Sequence, residues 1–302
     1  MAFSNPAPFP AFPSDIQVLP TETLSLSKLL ANDEEENARL FDACSSNGLF
    51  LLDLSQTEEG SNTWGPRCSI SCLPERFSAA GTGRIDAKGT PDRCEFCCLC
   101  KNDILGLTPP LPAPELVNKN RDTYAPFIKR CHGVSMLILQ RLESTLGLPV
   151  GALQGLHRID QISSDQTLQI KYSPQPEGDR RTSLVPYTDY GSITILFNVL
   201  AGLQVFPHDE SVEEKNWRWL KLVPNCAVVN LGDAMVKFTN GLFKSPMHRV
   251  TYAPGEQSLL TRYSLAYFTR PEDKCVMRRI QGSAMIPELG KGEVEEDVMA
   301  GD

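Results

Sequence analysis

The sequence predicts an α+β fold built on a β-sandwich or jelly roll, with helices gathered on its N-terminal side. Two observations carry this. Beyond Gln166 the chain breaks into short β-type runs separated by turn residues, at 168–172, 192–199, 202–206, 219–223, 227–231, 248–252 and 263–268. That spacing is typical of antiparallel sheets that fold back on themselves. Ahead of these runs, Phe127, Cys131, Val134, Leu137, Ile138, Leu142 and Leu146 recur at helical spacing over 120–148, a helix long enough to back a sheet.

The elements follow in order. The first twenty residues hold five prolines, at 6, 8, 10, 13 and 20, and are expected to run extended, with a first strand at 16–19. Thr21 or Thr23 caps a helix that continues through the acidic stretch to about Ser45. Asn47-Gly48 turns the chain into a buried strand at 49–54, and 55–91 reads as loop. Phe96, Leu99 and Ile104 make 94–104 a further buried strand, and Gly147-Leu148-Pro149 stops the long helix. Gly232-Asp233 reads as a tight turn and Asn240-Gly241 as a hairpin turn. The acidic run at 293–297 is expected to be solvated. The expected organisation is an N-terminal helical and mixed region (1–150), a jelly-roll domain (151–280) and an acidic tail (281–302).

Composition excludes several function classes. Hydrophobic content is 41%, charged content 22% and net charge −8, ordinary for a soluble protein of 302 residues. With no basic stripe, nucleic acid and anionic membrane are not expected partners. Residues 1–20 carry no Lys or Arg and no unbroken apolar stretch, so no secretory signal is expected; no run approaches the ~18 apolar residues of a membrane span, and the chain reads as a cytoplasmic monomer acting on a small molecule. Ten cysteines include the cluster Cys94, Cys97, Cys98 and Cys100, with Cys68 and Cys72 upstream. Paired Cys-x3-Cys and Cys-x2-Cys can be read as a zinc site. The apolar context of 94–104 favours cysteines acting as small core hydrophobes.

The chemistry-bearing residues lie in the second half. Tyr187-Thr188-Asp189 is followed by His248. A histidine at 187 would complete H-x-D…H, the 2-His-1-carboxylate triad that holds non-haem Fe(II). Alone, Asp189 reads more readily as a turn former and His248 as a satisfied core histidine; together with the residues that follow, the metal reading prevails. Arg262 and Ser264, two apart in a strand, share one face. A guanidinium fork beside a hydroxyl is a natural receptor for a carboxylate. Tyr172, at the end of its strand, either joins that receptor or is an amphipathic tyrosine at the rim.

The chain resembles the isopenicillin N synthase-like 2-oxoglutarate/Fe(II) dioxygenases of the type common in fungal secondary metabolism. The resemblance rests on Thr188-Asp189-Tyr190-Gly191-Ser192-Ile193-Thr194, Gly202-Leu203-Gln204-Val205, Val229-Asn230-Leu231-Gly232-Asp233, Thr239-Asn240-Gly241, His248-Arg249-Val250, Arg262-Tyr263-Ser264 and Phe268-x2-Pro271. Gly89-Thr90-Pro91-Asp92 and Leu146-Gly147-Leu148-Pro149 extend it into the N-terminal half. It implies a distorted double-stranded β-helix, with Fe(II) at positions 187, 189 and 248 and 2-oxoglutarate on Arg262 and Ser264, with Tyr172 in reach. It further implies hydroxylation, desaturation or ring modification of a small molecule, with 2-oxoglutarate converted to succinate and CO2. Two departures stand out: Tyr187 replaces the family's histidine, and 61–76 lacks the amphipathic helix usual before Phe77. Tyr187 leaves three readings open: an iron site with Tyr187 or water as its third ligand, a metal-free isomerase, cyclase or lyase with Tyr187 as general acid, and a catalytically defective binding homologue.

Overall fold

A computed structural model describes residues 9–57, 77–78, 91–92, 94–175, 177–180, 184–208, 210–211, 213–292, 295 and 297–301. Two sheets face each other. The larger has eight strands in the order β1 (Thr23–Ser25), β2 (Leu49–Asp53), β10 (Cys226–Leu231), β7 (Ile193–Asn198), β12 (Arg262–Thr269), β5 (Gln166–Tyr172), β4 (Cys94–Cys100) and β3 (Phe77–Ser78). The smaller runs β6 (Leu184–Tyr187), β11 (His248–Val250), β8 (Leu203–Val205) and β9 (Arg218–Trp219). All pairs are antiparallel except β1 with β2.

Both faces of the large sheet are buried, and the period-2 alternation of its strands divides the core. In β2, Phe50 and Leu52 face the helices while Leu49 and Leu51 face the second sheet. In β10, Ala227, Val229 and Leu231 take the helix side and Val228 the sheet side. The helix layer is α1 (Leu26–Leu30), α2 (Glu34–Ser46), α3 (Lys101–Ile104), α4 (Glu115–Lys119) and α5 (Arg121–Thr145). Helix α5 buries Ile128, Cys131, Ile138, Leu139 and Leu142 against the sheet, with Phe127, Val134 and Leu137 at the edge of the contact. It ends in a Schellman motif: Gly147 adopts φ 66°, its N–H donates to the Ser144 carbonyl at 3.1 Å, and the Leu148 N–H donates to that of Glu143 at 3.0 Å. Strands from 23–100 and from 166–269 complete one sheet, so the described residues of 1–150 and of 151–280 share a single core.

Several elements differ from expectation. Residues 16–19 contribute one bridge, Val18 to Trp219, rather than a strand. The helix expected from Thr21 or Thr23 begins instead with strand β1 and is cut in two, because Asn32 takes φ 57° and Asp33 starts a new helix by accepting from the Glu36 N–H at 2.9 Å. The strand expected over 94–104 stops at Cys100, where α3 begins. That expected at 219–223 is only Arg218–Trp219. Gly232-Asp233 is no simple turn but the start of α6 (Asp233–Phe238), and Asn240-Gly241 (φ 45° and 78°) closes that helix rather than a hairpin. The chain end is not simply solvated among its described residues: Met277 N–H donates to the Val298 carbonyl at 2.8 Å, Ala300 N–H to that of Cys275 at 2.9 Å, and Glu295 accepts from the Arg279 N–H at 2.6 Å. Cys94 and Cys97 are buried in the core, and Cys98 and Cys100 are half-buried. Cys68 and Cys72, which a zinc site would need, and the segment 61–76 lie outside the described residues.

His157 is a buried tie within this layer. Its Nδ1 bonds the Leu153 carbonyl and its Nε2 the Ser192 hydroxyl, each at 2.7 Å, with the ring edge-on to Phe238. Burial pushes its pKa down to about 4, only partly opposed by the Leu153 bond and Asp165. An unfolded histidine binds a proton near pH 6.5, while this folded one resists down to about 4. Stability is therefore present above pH 6.5 and lost as pH falls toward 4. The expected loss from this group is about 2 kcal/mol between pH 7 and 5. Thermal melts by circular dichroism check it: His157→Gln melts lower at pH 7 but declines less steeply to pH 5. Equal slopes in both proteins would refute the assignment.

Candidate functional site

The pocket between the sheets opens beside β6, and the strand alternation aims the polar side chains into it. Along β12, Arg262, Ser264, Ala266 and Phe268 line the pocket, while Tyr267 turns to the helices and Tyr263 to solvent. Arg262 stands directly across from Tyr172 in the β12–β5 register, with its guanidinium carbon 3.8 Å from the ring centroid. Both are buried, at 4% and 3% exposure. Nη1 of Arg262 donates to the Ala201 carbonyl at 3.3 Å, while Nη2 is buried without a partner. No carboxylate pairs with this guanidinium among the described residues. Gly202, at φ 148°, makes room for it, since a Cβ there would overlap Nη1. Cys94, opposite Tyr172 in the β4–β5 register, lies beside the pair, and burial pushes its thiol up to about 11.

At the other end of the pocket lie Asp189, His248 and Tyr187. Asp189 follows β6 in a turn clamped from behind: its carbonyl accepts from the Asp233 N–H at 2.7 Å, Thr188 Oγ1 donates to Asp233 at 2.9 Å, and Gly232 packs so closely on the Asp189 and Gly191 carbonyls that no Cβ fits. Asp189 Oδ2 accepts from Thr194 Oγ1 at 2.6 Å and from Asn230 Nδ2 at 2.8 Å. These two bonds orient the carboxylate and leave Oδ1 facing His248 Nε2 at 3.8 Å, beyond hydrogen-bond range. His248 Nδ1 contacts the Pro246 carbonyl at 2.9 Å. A carbonyl only accepts, so Nδ1 carries the proton and the neutral ring's lone pair sits on Nε2. Two lone-pair donors thus converge on one point, each oriented by its own outer hydrogen bond, as metal ligands are.

Tyr187 is the cross-strand neighbour of His248, with ring centroids 4.3 Å apart at 58°. The residue is 36% exposed at the pocket mouth, yet its phenol is held well above the usual tyrosine range, first by burial, then by the Asp189 carboxylate and by Tyr172. Without a metal it stays protonated at neutral pH. The structure therefore gathers Tyr172, Tyr187, Asp189, His248, Arg262 and Ser264 around one pocket. Sequence reasoning missed Thr194 and Asn230, which hold Asp189. Their one signal is a polar residue at a buried position of an otherwise apolar strand.

Residues 163–271, which span β5 to β12, match the model of the 2OG-Fe(II) oxygenase superfamily. The chain is similar to 2-oxoglutarate-dependent dioxygenase frbH of Dothideomycetidae sp., 31% identical over 89% of this chain and 86% of that one. It is also similar to 2-oxoglutarate-dependent dioxygenase AFUA_1G01000 of Aspergillus fumigatus, 29% identical over 95% and 85%. Among solved structures, a full-length Neurospora crassa protein in complex with alpha-KG superposes with TM-score 0.72 at 21% identity over 92% and 93% of the two chains. The chain belongs to the 2-oxoglutarate-dependent dioxygenases of the 2OG-Fe(II) oxygenase superfamily, oxidoreductases built on the double-stranded β-helix.

Fe(II) and 2-oxoglutarate are the cofactor and co-substrate of that family. The pocket fits 2-oxoglutarate well: a buried guanidinium with an orphaned N–H calls for a carboxylate. It fits a divalent metal through two protein donors, Asp189 Oδ1 and His248 Nε2, with a neutral phenol at the third position. Among the described residues, no third His, Cys, Asp or Glu joins that pair.

Proposed function

We propose that this chain oxidises a small-molecule intermediate of secondary metabolism by hydroxylation, desaturation or ring modification, with Arg262, Ser264 and Tyr172 holding 2-oxoglutarate and Asp189 and His248 holding Fe(II). The observation that carries the reading is the pairing, in one pocket, of an anion-seeking Arg262 with two converging donors from Asp189 and His248. Bound Fe(II) supplies the redox chemistry that couples decarboxylation of 2-oxoglutarate by O2 to oxidation of a C–H bond. The protein's part is positional. Arg262 draws in one carboxylate and fixes the co-substrate's direction. Asp189 stays oriented through Thr194 and Asn230, and His248 through Pro246. The apolar wall of Leu168, Ile170, Leu196, Leu203 and Val250 keeps water from competing.

Small organic substrates are supported by the neighbours, since the N. crassa protein is described with thymine and JOX2 with JA. No helix among the described residues is long and apolar enough to cross a membrane. Free thiols at Cys44, Cys131 and Cys226 support a reducing compartment such as the cytoplasm. A second reading, metal-free acid catalysis by Tyr187, draws support from its protonated phenol in the pocket. Anaerobic addition of Fe(II) and 2-oxoglutarate, followed by visible spectroscopy and by succinate assay on admission of O2, separates the two. The expected result is a weak charge-transfer band and succinate formation, both removed by EDTA. Turnover indifferent to EDTA would replace the oxidative reading with the metal-free one.

A further inference from the structure

The two ends of the pocket are unequally built. The carboxylate end is complete within the protein. Arg262 is buried, one nitrogen is occupied by the Ala201 carbonyl, its face is covered by Tyr172, and the remaining Nη2 is unpaired. A buried cation without a counter-charge favours an anion whether or not a metal is near. Gly202 and the β12–β5 register hold the guanidinium in place before any ligand arrives. The metal end is incomplete, with two lone-pair donors and, in place of a third, a tyrosine whose ring lies tilted at 58° against His248. Two protein donors hold a divalent ion weakly. A 2-oxo acid brings two more oxygens of its own, from its 1-carboxylate and its keto group.

We infer that in this chain 2-oxoglutarate binds first and forms part of the metal site, so that metal is retained only while the co-substrate is present. The inference rests on the proposed placement of 2-oxoglutarate at Arg262. Coupling of this kind is reciprocal, so metal and co-substrate raise each other's affinity by one common factor, and the co-substrate keeps a measurable affinity alone.

Isothermal titration with Mn(II), 2-oxoglutarate and glutarate tests it without turnover. The wild-type chain is expected to bind 2-oxoglutarate in EDTA. Saturating 2-oxoglutarate is expected to tighten Mn(II) binding by at least about thirtyfold. Glutarate, which offers the same clamped carboxylate without the keto oxygen, tightens it far less. In Tyr187→His, Mn(II) alone binds about tenfold or more tighter than to wild type alone, in line with what single donors and their supports contribute at metal sites. Equal Mn(II) affinity with and without 2-oxoglutarate would overturn the inference, as would 2-oxoglutarate binding that appears only once Mn(II) is added. Either result leaves the proposed function standing. Failure of 2-oxoglutarate to bind with or without Mn(II) would overturn both.

Discussion

Arg262→Met is expected to weaken 2-oxoglutarate binding at least about thirtyfold and, in the same molecule, to leave the ligand-free fold as stable as wild type or more so. The two effects share one cause. Arg262 is buried at 4% exposure with Nη2 unpaired and no described carboxylate beside it, so the empty pocket carries an uncompensated cation. Desolvating such a group costs several kcal/mol, and apolar replacement of buried charges is often neutral or stabilising by about 1–4 kcal/mol. Methionine keeps much of the side-chain length against Tyr172 and removes the charge, so the melting temperature without ligand should hold or rise. The bound state moves the other way. Losing one member of a buried charge pair costs about 2–5 kcal/mol, a weakening of roughly thirtyfold to several thousandfold. Differential scanning calorimetry gives a second readout: co-substrate at a hundred times the wild-type Kd should stabilise wild type by about 2.7 kcal/mol and the variant by less than about 1 kcal/mol. Co-substrate affinity within a few-fold of wild type would place the clamp elsewhere. A site that weakens the empty fold is what a binding function, rather than packing, requires.

The parts of this site legible in the sequence are those that local periodicity determines. Arg262 and Ser264 share a face because strand side chains alternate, and the structure puts both in the pocket with Ala266 and Phe268 continuing the row. The long helix was legible because its apolar stripe repeats over many turns and Gly147 marks its end. Strand β6, which carries Tyr187, was not, since Pro186 interrupts a four-residue run and such strands survive only where a ladder hydrogen bond can be spared. Helix α6 was hidden because Gly232-Asp233 reads as a turn, whereas the glycine is there to pass between the Asp189 and Gly191 carbonyls. The supports of Asp189 were the least visible. Thr194 and Asn230 reach it from β7 and β10, and only the pairing of those strands brings them together. The division at Asn32 turned on one residue's left-handed backbone, which leaves no periodic trace.

Tyr187 separates two accounts of the metal end, and a pair of substitutions decides between them. If the phenol oxygen were a ligand, it would have to lose its proton. Burial and the Asp189 carboxylate make that loss harder than in water. Tyr187→Phe removes the oxygen and keeps the ring on His248, 4.3 Å between centroids. It should therefore change Mn(II) affinity, measured with 2-oxoglutarate present, by less than about threefold, or roughly 0.6 kcal/mol. Tyr187→His does the opposite. It sets an imidazole on β6 directly opposite His248 of β11 and two residues before Asp189, completing a 2-His-1-carboxylate set whose other members are already oriented by Pro246, Thr194 and Asn230. Mn(II) affinity should rise about tenfold or more, and EDTA-sensitive succinate formation should rise with it. Should Tyr187→Phe instead lose metal tenfold, the phenol is a true ligand and the metal it favours is Fe(III) rather than Fe(II), because a hard anionic oxygen stabilises the higher charge.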